Sequence, residues 1–225
     1  TIKDKVVPNL VGSDIGCGME VVYLDSDEID FERFDNIIRQ KVPFGYKKHE
    51  TPHHFMKNFD LTRLKCYFDL EAGSEGNFYL GTLGGGNHFI EIDVGENGRK
   101  FLVIHTGSRN LGKQVADYYQ NLAVELMQGK DELYSKQEQL IAEYKAQGRK
   151  SEIQAAIKEL HKNFNPNPLN IPKDLCYLTG KYRDDYLHDM KICQRFAVKN
   201  RKIIARLILE GMNWRDEGFF ETIHN

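Results

Sequence analysis

The stretch FIEIDVGENGRKFLVI, residues 89–104, decides the fold class. Alternating and apolar runs at 89–94 and 100–104 flank Asn97-Gly98, and an Asn-Gly pair between two such runs is the signature of a β-hairpin with a type I′ turn. Upstream, GGGNHFIE (84–91) opens the first strand, with His88, Ile90 and Ile92 on one face and Phe89 and Glu91 on the other by strand alternation. Downstream, HTGSRNLG (105–112) closes the second strand and leads into a helix. His88 enters one strand and His105 leaves its antiparallel partner, so both stand at the open end of the hairpin. Counting from the turn, their offsets have equal parity, which permits one shared face.

Outward from the hairpin, residues 6–24 read as strand, glycine turn and strand, with Gly12, Gly16 and Gly18 as the breakers. Apolar residues at helical spacing predict helices over 27–40 and 55–70, with a loop over 43–52 between them. Helical character resumes near Leu111 and runs to His161, including a charged helical hairpin over 130–162 broken near Gly148. Pro166, Pro168 and Pro172 end it, and a long helix follows over 182–209. Paired strands with segregated helices predict an α+β fold. One domain is expected over 1–225, with 130–162 as a helical insertion and a metal site at the strand ends.

Composition sets the outer limits. The chain has 225 residues, 40% hydrophobic and 28% charged, which is the balance of a globular protein rather than a disordered one. The formal net charge of −2 leaves any phosphate-binding surface to be a local patch. No apolar run is long enough for a membrane span, no signal-peptide pattern opens the chain, and Cys17, Cys66, Cys176 and Cys193 form no CxxC pair. A cytoplasmic protein with reduced thiols and no membrane partner is expected.

Candidate chemistry centres on DIGCGM (14–19), where a carboxylate and a thiol share a glycine turn and are free to converge on one point. The competing interpretation is a tight turn with a buried cysteine acting as a small hydrophobe. Ser108 and Arg109 at a helix start suit phosphate contact, as do the backbone N–H groups of Gly84, Gly85 and Gly86. His49, His53 and His54 cluster between prolines without a carboxylate or thiol at suitable spacing, and His161 and His188 sit among helical charges.

DIGCGM, GGGNHFIE, HTGSRNLG and ETIHN (221–225), in that order, together with MKICQRFAVKNRKII (190–204), resemble the RtcB family of RNA-splicing and RNA-repair ligases. The resemblance implies an enzyme joining RNA 3′-phosphate or 2′,3′-cyclic phosphate ends to 5′-hydroxyl ends, with GTP and two Mn²⁺ ions. It implies Asp14, Cys17 and His88 on one ion and Cys17, His105 and His224 on the other. Asn87, His88, Phe89, Ile90, Glu91, His224 and Asn225 would contact the guanylate. The family's nucleophilic histidine is expected beyond Asn225, and the chain reads as a core incomplete at both ends. A bridging thiolate is favoured by two nearby cations, and Zn²⁺ suits the same donors. A dinuclear phosphoesterase and a noncatalytic, metal-stabilised RNA-binding domain are the alternatives.

Overall fold

The computed structural model describes residues 3–26, 28–54, 59–71 and 76–224. In chain order its elements are β1 (Lys5–Val6), α1 (Pro8–Val11), β2 (Gly18–Leu24), α2 (Phe31–Lys41), β3 (Phe89–Val94), β4 (Lys100–Thr106) and α3 (Arg109–Met127), then α4 (Lys130–Ala146), α5 (Ile153–Lys162), β5 (Leu178–Thr179), α6 (Gly180–Met212) and β6 (Asp216–Ile223). Helices and strands alternate along the chain, but every ladder between the strands is antiparallel, so the fold is α+β.

The chain forms two compact units, the smaller from residues up to Leu10 with Tyr119–Arg183 and the larger from Val11–Tyr118 with residues from Asp184 onward. In the smaller unit β1 pairs with β5, and α4 and α5 flank Gly148, whose φ of +72° stops the helix where a break was expected. Val6 therefore pairs with Leu178 and forms no hairpin with β2, because Pro8 starts a helical turn directly after it and both edges of β2 are taken by other strands.

The larger unit is built on an antiparallel sheet of order β3-β4-β2-β6. Val22, Leu24, Leu102 and Ile104 on one sheet face pack with Phe34 and Ile37 of α2 and Ile204, Ala205 and Ile208 of α6. Each fully buried aliphatic side chain in such a cluster contributes about 1.5–3 kcal/mol. Asp30 starts α2 by accepting from the Arg33 N–H at 2.9 Å; Asp27, where that helix was expected to begin, lies outside the described residues. The opposite sheet face carries Tyr23, stacked edge-on to Phe101 with ring centroids 5.4 Å apart, and Arg99 lies over the Tyr23 ring.

Two expectations are corrected, and one strand is added. The β3–β4 turn has positive φ at Gly98 (79°) but not at Asn97, and the Gly98 N–H donates to the Gly95 carbonyl at 2.9 Å. This is a type I turn followed by a left-handed glycine, not the type I′ turn. Residues 59–71 form only short 3-10 turns at Leu61–Arg63 and Tyr67–Asp69. The Lys65 and Cys66 N–H groups donate to the Asp189 carboxylate of α6 at 2.9 and 3.2 Å instead of to a helix ladder, and Asp60 caps Thr62; Phe55 lies outside the described residues. The segment ending in Glu221, Thr222 and Ile223 is β6, an edge strand paired along β2.

Candidate metal centre

Cys17 ends a turn in which its N–H donates to the Asp14 carbonyl at 3.0 Å. Gly16 takes φ +79° and touches α6 so closely that a Cβ would stand 2.8 Å from the Gln194 Cα and 2.9 Å from the Ala197 Cβ. On the other side of the thiol, a Cβ on Gly18 would overlap the Thr222 carbonyl oxygen of β6. The two glycines thus let Cys17 sit wedged between α6 and β6. Arg201, fully buried, donates from Nη1 to the Gly16 carbonyl at 2.9 Å and the Thr106 carbonyl at 2.8 Å, tying the Cys17 turn to the end of β4.

His88 and His105 meet, but not through a shared pleat face. The register pairs Phe89 with His105, so strict alternation would place His88 on the other face of the pleat. His88 precedes β3, where alternation no longer binds it, and turns inward. Its Nδ1 meets the Leu83 carbonyl at 3.0 Å, and the His105 Nδ1 meets the Asn87 carbonyl at 3.0 Å. A carbonyl only accepts, so in each neutral ring the proton is assigned to Nδ1, and Nε2 keeps its lone pair for the interior of the site. Carbonyl partners of this kind fix the tautomer of metal-binding imidazoles.

β6 delivers the last histidine, since the His224 N–H donates to the Cys17 carbonyl at 3.1 Å. The Cys17 Sγ lies 3.2 Å from the His105 Nε2 and 3.7 Å from the His88 Nε2. The His88 Nε2 is 2.9 Å from an Asp14 carboxylate oxygen, and the His105 Nε2 is 3.3 Å from the His224 Nε2. Asp14, Cys17 and His88 form one set and Cys17, His105 and His224 another, with ligand atoms inside each set within 4.8 Å of one another. Among the described residues these are the only such sets, and Cys17 belongs to both.

Burial, followed by the Asp14 charge, pushes the Cys17 thiol up to about 12 in the protein alone. Burial also opposes the Asp14 carboxylate, but when His88 carries a proton on both ring nitrogens its Nε2–H hydrogen bond and its charge outweigh burial and hold that carboxyl below its ordinary value; the neutral ring, with its lone pair on Nε2, makes no such bond. Desolvation lowers His105, favouring the neutral ring that can act as a ligand. The donors are carboxylate, imidazole and a thiol that ionises readily only beside cations, a set that fits two divalent ions sharing one sulfur.

The remaining predicted residues fall in different places. Phe89 stacks on His105 with ring centroids 5.1 Å apart, and Ile90 packs against the apolar core. Glu91 is exposed on β3 opposite Val103, on the same pleat face as Phe89 and His105. Asn225 lies outside the described residues. Asn87 and His88 line a cavity of about 570 Å³ with Asp14, Tyr46, Arg109 and Lys113. Arg109 takes φ +61° and donates to the Thr82 hydroxyl and the Gly45 carbonyl, each at 3.2 Å. Gly84 is a glycine for that guanidinium, which a Cβ would overlap. His53 and His54 stack on each other outside both ligand sets. Sequence reasoning missed Arg201, Tyr46 and Lys113; an Asn-Arg pair inside a helix carries no spacing signal, and only the tertiary contact reveals the role of Arg201.

The model of the family described as tRNA-splicing ligase RtcB matches residues 64–216. The RNA-splicing ligase RtcB of Escherichia coli (strain K12) is 30% identical over 231 residues, covering 93% of this chain and 48% of that protein. The tRNA-splicing ligase RtcB of Nanoarchaeum equitans is 29% identical over 167 residues, 52% of this chain and 35% of that protein. That of Aeropyrum pernix is 44% identical over 62 residues, 21% of this chain and 13% of that protein. The chain spans about half the length of the Escherichia coli relative. With a family model matched over most of its length, the chain belongs to the RtcB family.

Proposed function

We propose that this chain carries a dinuclear Mn²⁺ centre and the adjoining part of a guanine-nucleotide site in a GTP-dependent ligase that joins RNA 3′-phosphate or 2′,3′-cyclic phosphate ends to 5′-hydroxyl ends. One observation carries the reading: a single sulfur, Cys17 Sγ, stands between two ligand sets in which His88 and His105 each turn Nε2 inward. Asp14, Cys17 and His88 hold one ion, and Cys17, His105 and His224 the other. Two ions held by these residues would supply charge neutralisation of phosphate oxygens and so favour in-line transfer. Arg109 and Lys113, which line the neighbouring cavity, offer guanidinium and ammonium donors to a phosphate. Glu91 accepts hydrogen bonds from the guanine N1–H and amino group, which a carboxylate matches in pairs. The chain acts as one ligase core in which α4 and α5 are a helical insertion.

Metal analysis of the purified chain tests the centre. Wild type is expected to bind two Mn²⁺, His88→Ala to lose mainly one, and Cys17→Ala to lose both. Unchanged stoichiometry in Cys17→Ala refutes the shared sulfur.

A further inference from the structure

Beside the metal centre a second feature points to a macromolecular substrate. From Met190 to Leu209, α6 contains six Lys or Arg residues and no Asp or Glu. Arg201 is buried, as described; Lys191, Arg195 and Lys199 instead line a groove of about 630 Å³ against the end of β6. They follow one another at four-residue steps, one inclined row on the helix with a rise of about 6 Å per step. Such a row can meet successive phosphates of one extended strand.

Phe59 forms part of the groove wall. The buried ring of Phe196 holds it edge-on with centroids 5.7 Å apart, and the Arg195 guanidinium and Lys199 ammonium lie 5.9 and 5.8 Å from its centroid. Among the described residues lining the groove, the one carboxylate is Glu221, 3.9 Å from the Lys202 ammonium. A cationic row along an aromatic platform is the composition of sites that hold single-stranded nucleic acid without reading sequence.

The groove also lies beside the metal centre. Ile223 in its wall precedes the ligand His224, and Gln194 in its wall packs on Gly16, next to Cys17. A strand lying along α6 therefore passes beside the metal centre.

We infer that the groove between α6 and β6 binds the backbone of single-stranded RNA next to the end that reacts, an assignment that rests on the ligase reading for its substrate class. Lys191, Arg195 and Lys199 contact phosphates, and Phe59 stacks on a base.

The test is fluorescence anisotropy of a short labelled oligouridylate with the full 225-residue chain in EDTA over a range of KCl. Each lost phosphate contact lowers the slope of log affinity against log salt by about 0.7 for a single strand. The triple variant Lys191→Gln, Arg195→Gln, Lys199→Gln is expected to reduce the slope by about 2 and to bind at least about tenfold more weakly at low salt. Phe59→Leu is expected to weaken binding about tenfold with the slope kept, because stacking is not ionic. A matched triple on α4 and α5, Lys136→Gln, Lys145→Gln, Lys158→Gln, should leave both quantities unchanged. Wild-type affinity and slope in the first triple overturn the inference, as does an equal loss in the matched triple. Competition by polyglutamate as effective as by RNA would assign the groove to an acidic polypeptide and also overturn it. EDTA separates this outcome from that of the metal reading, which is scored by Mn²⁺ stoichiometry; the groove triple should still bind two ions.

Discussion

Replacing Glu20 by Gln should stabilise this protein at alkaline pH and leave it nearly unchanged in mild acid. Glu20 is only 3% exposed on β2, and one of its carboxylate oxygens has no hydrogen-bond partner. Burial is the main cause that raises its pKa from 4.5 to about 7, with Lys202 and Arg201 opposing and Glu221 on the neighbouring strand reinforcing the rise. Between these two values the folded chain keeps the proton that the unfolded chain has released. Stability therefore falls as pH rises through this window, the reverse of a salt-bridged carboxylate. At about 1.36 kcal/mol per unit the whole loss is about 3 kcal/mol, most of it incurred between pH 5 and 8. Gln has no proton to lose, so the gap between Glu20→Gln and wild type should widen by 2 to 3 kcal/mol, roughly 1 M in urea midpoint, from pH 5 to 8. Urea unfolding in EDTA can be followed by the fluorescence of the single tryptophan, Trp214, which lines the same cavity as Glu20. The shifts of Asp14 and His105 are common to both proteins and cancel in the difference. An equal gap at the two pH values would refute the reasoning.

Two further substitutions probe the scaffold of the centre. Gly18→Ala places a methyl group against the Thr222 carbonyl and should lift the end of β6 from β2, breaking the His224-to-Cys17 backbone bond; Mn²⁺ titration should then find one ion where wild type binds two, and two ions held at wild-type affinity would contradict this. Arg201→Met leaves the Gly16 and Thr106 carbonyls without their buried donor. A loss of about 3 kcal/mol, some 10 °C in Tm, is expected from thermal melts, and a Tm within a degree of wild type would show that the clamp is dispensable.

What the sequence reveals depends on the range of the interaction that decides each feature. The β3–β4 hairpin is legible because Gly98 and the apolar runs beside it act locally. α6 is legible for a similar reason, since Cys193, Ala197 and Ile204 repeat at helical spacing and are buried as expected. The meeting of Asp14, Cys17, His88 and His105 could be anticipated from motifs, although a shared pleat face, which equal parity permits, is not how it comes about; His88 escapes the pleat by one residue. Residues 59–71 misled because their apolar spacing is helical while a carboxylate 124 residues from Lys65 claims the backbone donors. β6 was invisible because Phe219, Phe220 and Glu221 become a strand only through pairing with β2.

The sequence distances inside the ligand cluster have a consequence for the order of assembly. His88 and Asp14 lie 74 residues apart, His105 and Cys17 88, and His224 and His105 119. Contacts of such long range form only after intervening loops have closed. The cluster is complete only when β4, β2 and β6 are in register, so a cation bound by it would arrive at a finished frame. An ion bound there would act on escape from the native state rather than on the route into it: it would work as a latch, slowing the opening of the sheet while leaving the rate of its closing to the chain.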